Sequence, residues 1–434
     1  MVFARRILTS YDLFTYTYPY KDFTAASLRS GHIPLWNPYL FFGVPFFANI
    51  QTAVLYPINV LTSYMGAPQA AGLSIVLHIF LAGAGMYAFT RLSVGLGRAG
   101  SFLAALAFMF SGFLTAQVGH LNQITVSVWL PLLLLCFEQA YRRRSLRLAL
   151  AMALVVTLQA LAGGPQQLYL SLVALGLFVV FVIGRRAFQR PLPLRQTLLG
   201  AVGALLLFGF GVGLGLGLAA IQLLPSLELS RWSIRGGGLG YTGATSFSLP
   251  PPDLLRALLP GFTSNPFSEY VAYVGAVALF LVLVALVVRR RHPYTLLCLV
   301  LVVAGLLLAM GKFTPLYELA YRHVPGFDRF RVPARWLYLY SFGVSVLAGL
   351  GLSALEERGW LSGTHRWKPM VRILPPVLAL ALAAFVAIWV TRQKLTIPSS
   401  GIAAAWAAGA GAGFLVLLLA TAWPKGRQWG PVLL

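Results

Sequence analysis

Long apolar runs alternate with short polar connections along most of this chain. Runs of about 18 or more apolar residues, the length a helix needs to cross a bilayer, predict eleven spans. They fall at about 70–92, 98–117, 121–140, 145–162, 165–184, 197–224, 270–289, 293–311, 333–355, 371–391 and 402–423. The connections alternate as well. Arg142, Arg143, Arg144 and Arg147, then Arg185, Arg186, Arg190 and Arg195, then Arg289 to Arg291, occupy links on one side, whereas the links near Gly119 and Gly163 are almost neutral. Basic short loops are retained in the cytoplasm during insertion. The pattern therefore predicts an all-α polytopic membrane protein with residues 1–69 as an external first loop and 70–423 as a helical bundle. Further external loops are expected at about 225–269, 312–332 and 392–400, with a cytoplasmic tail at 424–434.

The first loop has a different texture. Residues 11–59 are dense in aromatics, prolines and amides and lack long aliphatic runs. Pro19 suits the first turn of a helix and Gly31 a C-terminal cap, so 19–30 is expected as a short helix, lying at the interface on account of its Tyr, Phe and Lys side chains. Residues 52–64 are too short to span and predict a second interfacial piece.

Composition reinforces the membrane reading. Hydrophobic residues form 59% of the 434 and charged residues 10%, a ratio that a water-exposed surface would not tolerate. The net charge of +23 would suggest nucleic acid in a soluble protein, but arginines confined to loops between spans read as topology, and no nucleic-acid partner is expected. Cys136 and Cys298 both sit in apolar runs, which argues against a disulfide framework or a Cys-based metal site. Arg5 and Arg6 are followed by a polar-aromatic stretch, not the apolar core of a signal peptide. Seven of the ten carboxylates (Asp12, Asp22, Glu228, Asp253, Glu269, Glu318, Asp328) fall on the external side, and Glu138, Glu356 and Glu357 on the cytoplasmic side. Carboxylate chemistry is thus expected outside. The alternating glycines 209–217 lie within a span, so helix packing through Gly209, Gly213 and Gly217 is expected in place of a nucleotide loop.

Several segments carry a family resemblance. Asp12 with Tyr18-Pro19, PLWNPY (34–39), FGVPFFANIQ (42–51) and LYP (55–57) resemble the first loop of the YfhO-type bacterial membrane proteins. GHLNQITVSVWLPL (119–132), AGGPQQLYL (162–170), IQLLPSLELS (221–230), LPPPDLL (249–255), YVGAVAL (273–279) and GKFTPLYELAYRHVPGFDRFRVPARW (311–336) extend the match in the same order. The resemblance implies a GT-C-like bundle in the bacterial cytoplasmic membrane. The implied activity is inverting transfer of a sugar from a polyprenyl-phosphate donor to a cell-envelope acceptor, such as a teichoic-acid-type polymer, on the external face. It also implies a helix before the acidic loop, either encoded upstream of Met1 or lost, and in many members an external region after the helices.

Such a reaction needs a carboxylate base, cations for the departing phosphate and an apolar groove for the prenyl chain. Asp12 matches the acidic position of the loop and is the expected base. Asp22 is the reserve, although its neighbour Lys21 suggests a solvated pair. For the phosphate, Arg329, Arg331 and Arg335 lie in one external stretch with Arg322 and His323, and Arg231 and Arg235 are weaker candidates. Trp36, Asn37, His120, Asn122 and Gln166, with Gln123 and Gln167 beside them, sit where a sugar or acceptor pocket would open. His32 and His78 are lesser candidates, His78 reading as a helix-to-helix hydrogen bond. No metal motif is evident. Some enzymes of this class use a divalent cation, for which external carboxylates are the available ligands.

Two rival classes make different demands. A lipid or glycolipid transporter or flippase predicts ionisable residues at mid-membrane and internal repeats, neither of which is prominent here. A non-catalytic envelope-assembly protein would keep the bundle without the site.

Overall fold

The computed structural model describes residues 7–189, 193–234, 236–254, 258 and 267–357. The spans expected at 371–391 and 402–423, the loop 392–400, the tail 424–434, Arg190 and Arg235 lie outside the described residues.

A π turn, Leu13–Thr17, leads into α1 (Tyr18–Arg29), with Pro19 in its first turn. A two-residue antiparallel hairpin pairs Trp36 with Pro45 and Asn37 with Val44. After α2 (Pro57–Leu61) come α3 (Ala67–Phe89), α4 (Arg98–Met109), α5 (Gly112–Ala116), α6 (Leu121–Ser127) and α7 (Leu130–Arg143). The chain continues with α8 (Leu146–Leu161), α9 (Pro165–Gln189), α10 (Leu194–Leu218), α11 (Ala220–Arg231) and α12 (Tyr241–Ala244). The last four are α13 (Ala276–Val288), α14 (Pro293–Ala309), α15 (Pro315–His323) and α16 (Leu337–Glu357). The short helix expected at 19–30 is α1, and α2 lies within the 52–64 piece.

Every span expected between 70 and 355 is helical. Six apolar stretches among the described residues are long enough to cross a membrane: Ala67–Val94, Arg98–Gly119, Leu121–Arg143, Pro165–Arg186, Leu194–Leu218 and Pro333–Glu357. Leu146–Leu161, Ala276–Val288 and Pro293–Ala309 are apolar but shorter. The span expected at 121–140 breaks after Ser127 because Pro131, in the first turn of α7, has no N–H to continue the ladder. The one expected at 270–289 begins only at Ala276, after Gly275 with φ +108.

The bundle is built around α16, whose residues Leu337 to Leu355 are all buried. A helix apolar on every face belongs at the centre of such a protein. Its neighbours approach closely through glycine. A Cβ on Gly100 would lie 2.7 Å from the carbonyl oxygen of Gly349, and one on Gly343 2.9 Å from that of Cys298. Close backbone approach of this kind replaces the hydrophobic driving force that helices lack within lipid.

The glycine stripe of α10 packs on a different face from the one expected. Gly209, Gly213 and Gly217 meet none of the described residues, whereas Gly211 and Gly215 are buried against α8. A Cβ on Gly215 would lie 2.6 Å from the Ala153 carbonyl oxygen. Both stripes have an i, i+4 period, so spacing alone does not distinguish them.

Loops gather at two ends of the bundle. At the basic end, fully buried Glu138 pairs with Arg185 at 2.6 Å and also accepts from the Tyr294 hydroxyl, and Arg289 pairs with Glu357. At the other end the first loop, the turns near 119 and 163, and the segments 236–254, 267–275 and 311–336 converge. There the Leu239 amide donates to the Asp328 carbonyl at 2.7 Å and Arg329 Nη1 to the Gly236 carbonyl at 3.1 Å.

Candidate active site

A cavity of about 470 Å³ opens at this second end, a volume typical of small-molecule sites. It is lined by Asp12, Thr15, Tyr16 and Lys21 from the first loop and α1, by His120 and Asn122, and by Gln51 and Asn59. Leu40 and Phe41, from the tip of the hairpin, close its rim. Phe41 and Phe42 take positive φ values of 47° and 63°, which non-glycine residues rarely adopt. Gly43, at φ +116, makes room for the Trp36 indole, 2.5 Å from where a Cβ would stand.

Two segments more than one hundred residues apart meet at the cavity wall. Asp12 Oδ2 lies 2.8 Å from His120 Nε2. His120 Nδ1 in turn lies 2.9 Å from Gln117 Oε1. Gln117 is fully buried and donates through Nε2 to Glu269 Oε2 at 3.1 Å. Glu269, itself buried, accepts from Arg335 Nη2 at 2.6 Å and Nε at 3.1 Å, and from Gln123 Nε2 at 3.2 Å. Burial pushes the Glu269 carboxyl up, but the Arg335 charge and hydrogen bonds, then the Gln123 bond, bring it below its ordinary value. Arg335 Nη1 also donates to Gln166 Oε1 at 2.7 Å, and Gln167 Nε2 to Gln123 Oε1 at 2.8 Å. Buried polar groups at this end are thus tied into one network running from Asp12 to Arg335.

Lys21 is the cation of the cavity. It lies on α1, one residue before Asp22, yet the two side chains diverge. Lys21 Nζ donates to Asn59 Oδ1 at 2.8 Å, and burial lowers its pKa to about 8. Asp22 is exposed and accepts from the Ala67 amide at 3.3 Å, at the first turn of α3. The expected solvated Lys21–Asp22 pair is therefore absent from the described ion pairs. Asp22 serves the N-terminus of a span, where an anion meets the unpaired amides.

The other expected site residues divide sharply. Asp12, His120 and Asn122 line the cavity, Asn122 also donating to the Gly163 carbonyl at 3.3 Å. Arg335 and Gln166 do not line it: Arg335 engages Glu269 and Gln166, and Gln166 donates to the Val332 carbonyl at 3.3 Å. Arg329 pairs with Asp328 at 3.5 Å, exposed Arg331 stacks on Phe247 with 5.9 Å to the ring centroid, and Arg231 is exposed at the end of α11. None of these three lines the cavity. Trp36 and Asn37 do not line it either: buried Asn37 accepts from the Tyr39 amide at 2.9 Å to shape the turn, and Trp36 packs on Gly43. Arg322 pairs with Glu318, while His32 and His323 are exposed. Fully buried His78 lies 2.6 Å from the Tyr56 hydroxyl, which also accepts from Trp129 Nε1 at 3.3 Å, pinning the first loop to the bundle. Among the described residues no three His, Cys, Asp or Glu side chains gather around one point.

Sequence reasoning missed Lys21, Gln117 and the role of Glu269. Lys21 stands three helical positions from Tyr18, whose side chain is buried, a signal that this face of α1 turns inward. Nothing local distinguishes Gln117 or Glu269, because their partners are more than one hundred and fifty and about sixty-six positions away respectively.

Residues 46–428 match the family described as bacterial membrane protein YfhO. No curated protein matches the sequence. Among solved structures, the chain is similar to ArnT from Cupriavidus metallidurans bound to undecaprenyl phosphate, at 13% identity and a TM-score of 0.46, covering 95% of this chain and 71% of that one.

Proposed function

Because this chain belongs to the YfhO family of bacterial membrane proteins, we propose that it is a GT-C-type glycosyltransferase of the cytoplasmic membrane. In this reading it moves a sugar from a polyprenyl-phosphate donor to a cell-envelope acceptor on the external face. The observation that carries the reading is one cavity holding both a carboxylate, Asp12, and a half-buried cation, Lys21, at the end of the bundle away from the arginine-rich loops. That separation, with basic loops held in the cytoplasm, supports an external site.

The acceptor hydroxyl attacks the anomeric carbon from the face opposite the phosphate, so configuration inverts. Asp12 removes its proton as the new bond forms. The bond from the anomeric carbon to the phosphate oxygen breaks, its electron pair leaves with the phosphate, and Lys21 stabilises the added charge. Asn59 holds Lys21, and Asn122 and Gln51 offer polar groups to the sugar or acceptor. The apolar rim at Leu40 and Phe41 suits the prenyl chain. Arg329, Arg331 and Arg231 serve the approach of an anionic headgroup from outside the cavity.

A transporter or flippase draws less support. The buried carboxylate Glu138 is locked to Arg185 at the basic end and does not line the cavity.

The test supplies a polyprenyl-phosphate sugar to membranes carrying the wild type or Asp12→Asn and follows release of the lipid phosphate. The substitution is expected to lower release by about 10²–10⁴-fold, the usual share of a general base. Equal release by both proteins would remove Asp12 from the base role.

A further inference from the structure

The hydrogen bonds around His120 fix where its protons sit. Gln117 Nε2 faces two acceptors, the Ser268 carbonyl at 3.4 Å and Glu269 Oε2 at 3.1 Å. Glu269 is held ionised by Arg335, so it has no proton to offer a reversed amide. The amide orientation is therefore determined by its partners, and Gln117 Oε1 must accept from His120 Nδ1 at 2.9 Å. With Nδ1 carrying a proton, neutral His120 presents a bare lone pair at Nε2. That lone pair points at Asp12 Oδ2 across 2.8 Å. Two acceptors at that distance repel unless one proton lies between them. The pair is consistent with imidazolium and carboxylate or with imidazole and carboxylic acid, two arrangements of the same proton count.

We propose that Asp12 and His120 form one proton-holding unit, in which Asp12 takes the acceptor's proton and Nε2 of His120 receives it. The inference rests on the glycosyl-transfer reading above. In the reacting state the unit holds no shared proton: Asp12 is ionised and His120 is neutral with Nδ1 protonated. The acceptor oxygen bonds to the anomeric carbon, the phosphate leaves with the electron pair of the broken bond, and the hydroxyl proton moves to Asp12 and on to Nε2. The product is the imidazolium–carboxylate pair, whose hydrogen bonds are all satisfied. Charged and titratable groups on every side bear on this proton. Asp12 faces it directly, Lys21, Tyr16 and Tyr20 face it across the cavity, and Glu269 stands behind Gln117 with Arg335 beyond. With the side chains of His120 and Asp12 30% and 49% exposed, the proton returns to water through the open mouth before the next turnover.

His120 acts through Asp12, so its test includes a readout that a purely structural role would leave unmoved. The full chain, labelled with ¹⁵N-histidine and placed in lipid nanodiscs, gives the protonation of each ring nitrogen by NMR, the His120→Gln spectrum identifying the signals among the six histidines. At high pH His120 is expected as the Nδ1–H tautomer. Asp12→Asn should keep that tautomer, and Gln117→Met should release it to the commoner Nε2–H form. An Nε2–H tautomer in the wild type at high pH would overturn the assignment.

In the donor-release assay, His120→Gln is expected to lower turnover about tenfold or more, less than loss of the base itself. KM should change little, and the pH–rate profile should shift. An unchanged profile would overturn the relay. Absence of any release by a wild type that shows the Nδ1–H tautomer would instead sink the glycosyl-transfer reading, and the relay step with it, while leaving the proton assignment standing.

Discussion

Replacing Arg335 by Met separates two roles that an arginine near a phosphate-handling site can have. Its side chain is 20% exposed and its Glu269 partner 5%, with three nitrogen–oxygen contacts of 2.6, 3.1 and 3.2 Å between them. Removing one member of a buried pair leaves an uncompensated charge and costs about 3–5 kcal/mol. Gln117 and Gln123 still donate to Glu269, so about 3 kcal/mol is expected, roughly two decades in the folding equilibrium constant. The double variant Arg335→Met/Glu269→Leu should recover most of that loss, because two apolar groups of similar volume need no solvation. Without Arg335, burial dominates Glu269 and its carboxyl rises. In the wild type the depressed carboxyl contributes stability that is complete above its unfolded value and lost as pH falls through the folded one. The gap between wild type and Arg335→Met should therefore narrow as pH falls. Denaturant titration in mixed micelles, followed by tryptophan fluorescence, measures all three proteins. A single variant as stable as the wild type, or a double variant no more stable than Arg335→Met, would refute the structural role of the pair.

Lys21, with its pKa lowered to about 8 by burial, should bind the donor phosphate as a cation below that pH and progressively less above it. The KM for donor is expected to rise across pH 8–9 and to flatten in Lys21→Arg, which stays charged; a pH-independent KM in the wild type would exclude it. On α10, Gly215→Ala drives a Cβ to 2.6 Å from the Ala153 carbonyl and should cost about 1–3 kcal/mol, while Gly213→Ala should leave the melting temperature of the purified protein unchanged. Equal effects would mean that α10 packs on a different face.

The spans were legible because burial in lipid leaves a one-dimensional mark: a helix that cannot reach water must be apolar for its whole length. Break points such as Ser127 and Gly275 were harder to place, since a proline or glycine within an apolar run marks a kink or a cap according to what packs beside it. The glycines of α10 show the limit clearly, since two interleaved stripes have the same period and only contact with Met152, Ala153 and Val156 selects Gly211 and Gly215.

For the site, the sequence determined that a polar, aromatic loop with Asp12 precedes the spans, and that carboxylates gather at the end away from the basic loops. Local chemistry and topology suffice for both. Which of those groups meet was decided by tertiary structure alone. Asp12 reaches His120 across more than one hundred positions, Glu269 pairs with Arg335, and Lys21 turns to Asn59 while Asp22 turns to Ala67. Charge and residue type are properties of a position, but pairing depends on distance, and distance is fixed only when the helices have packed.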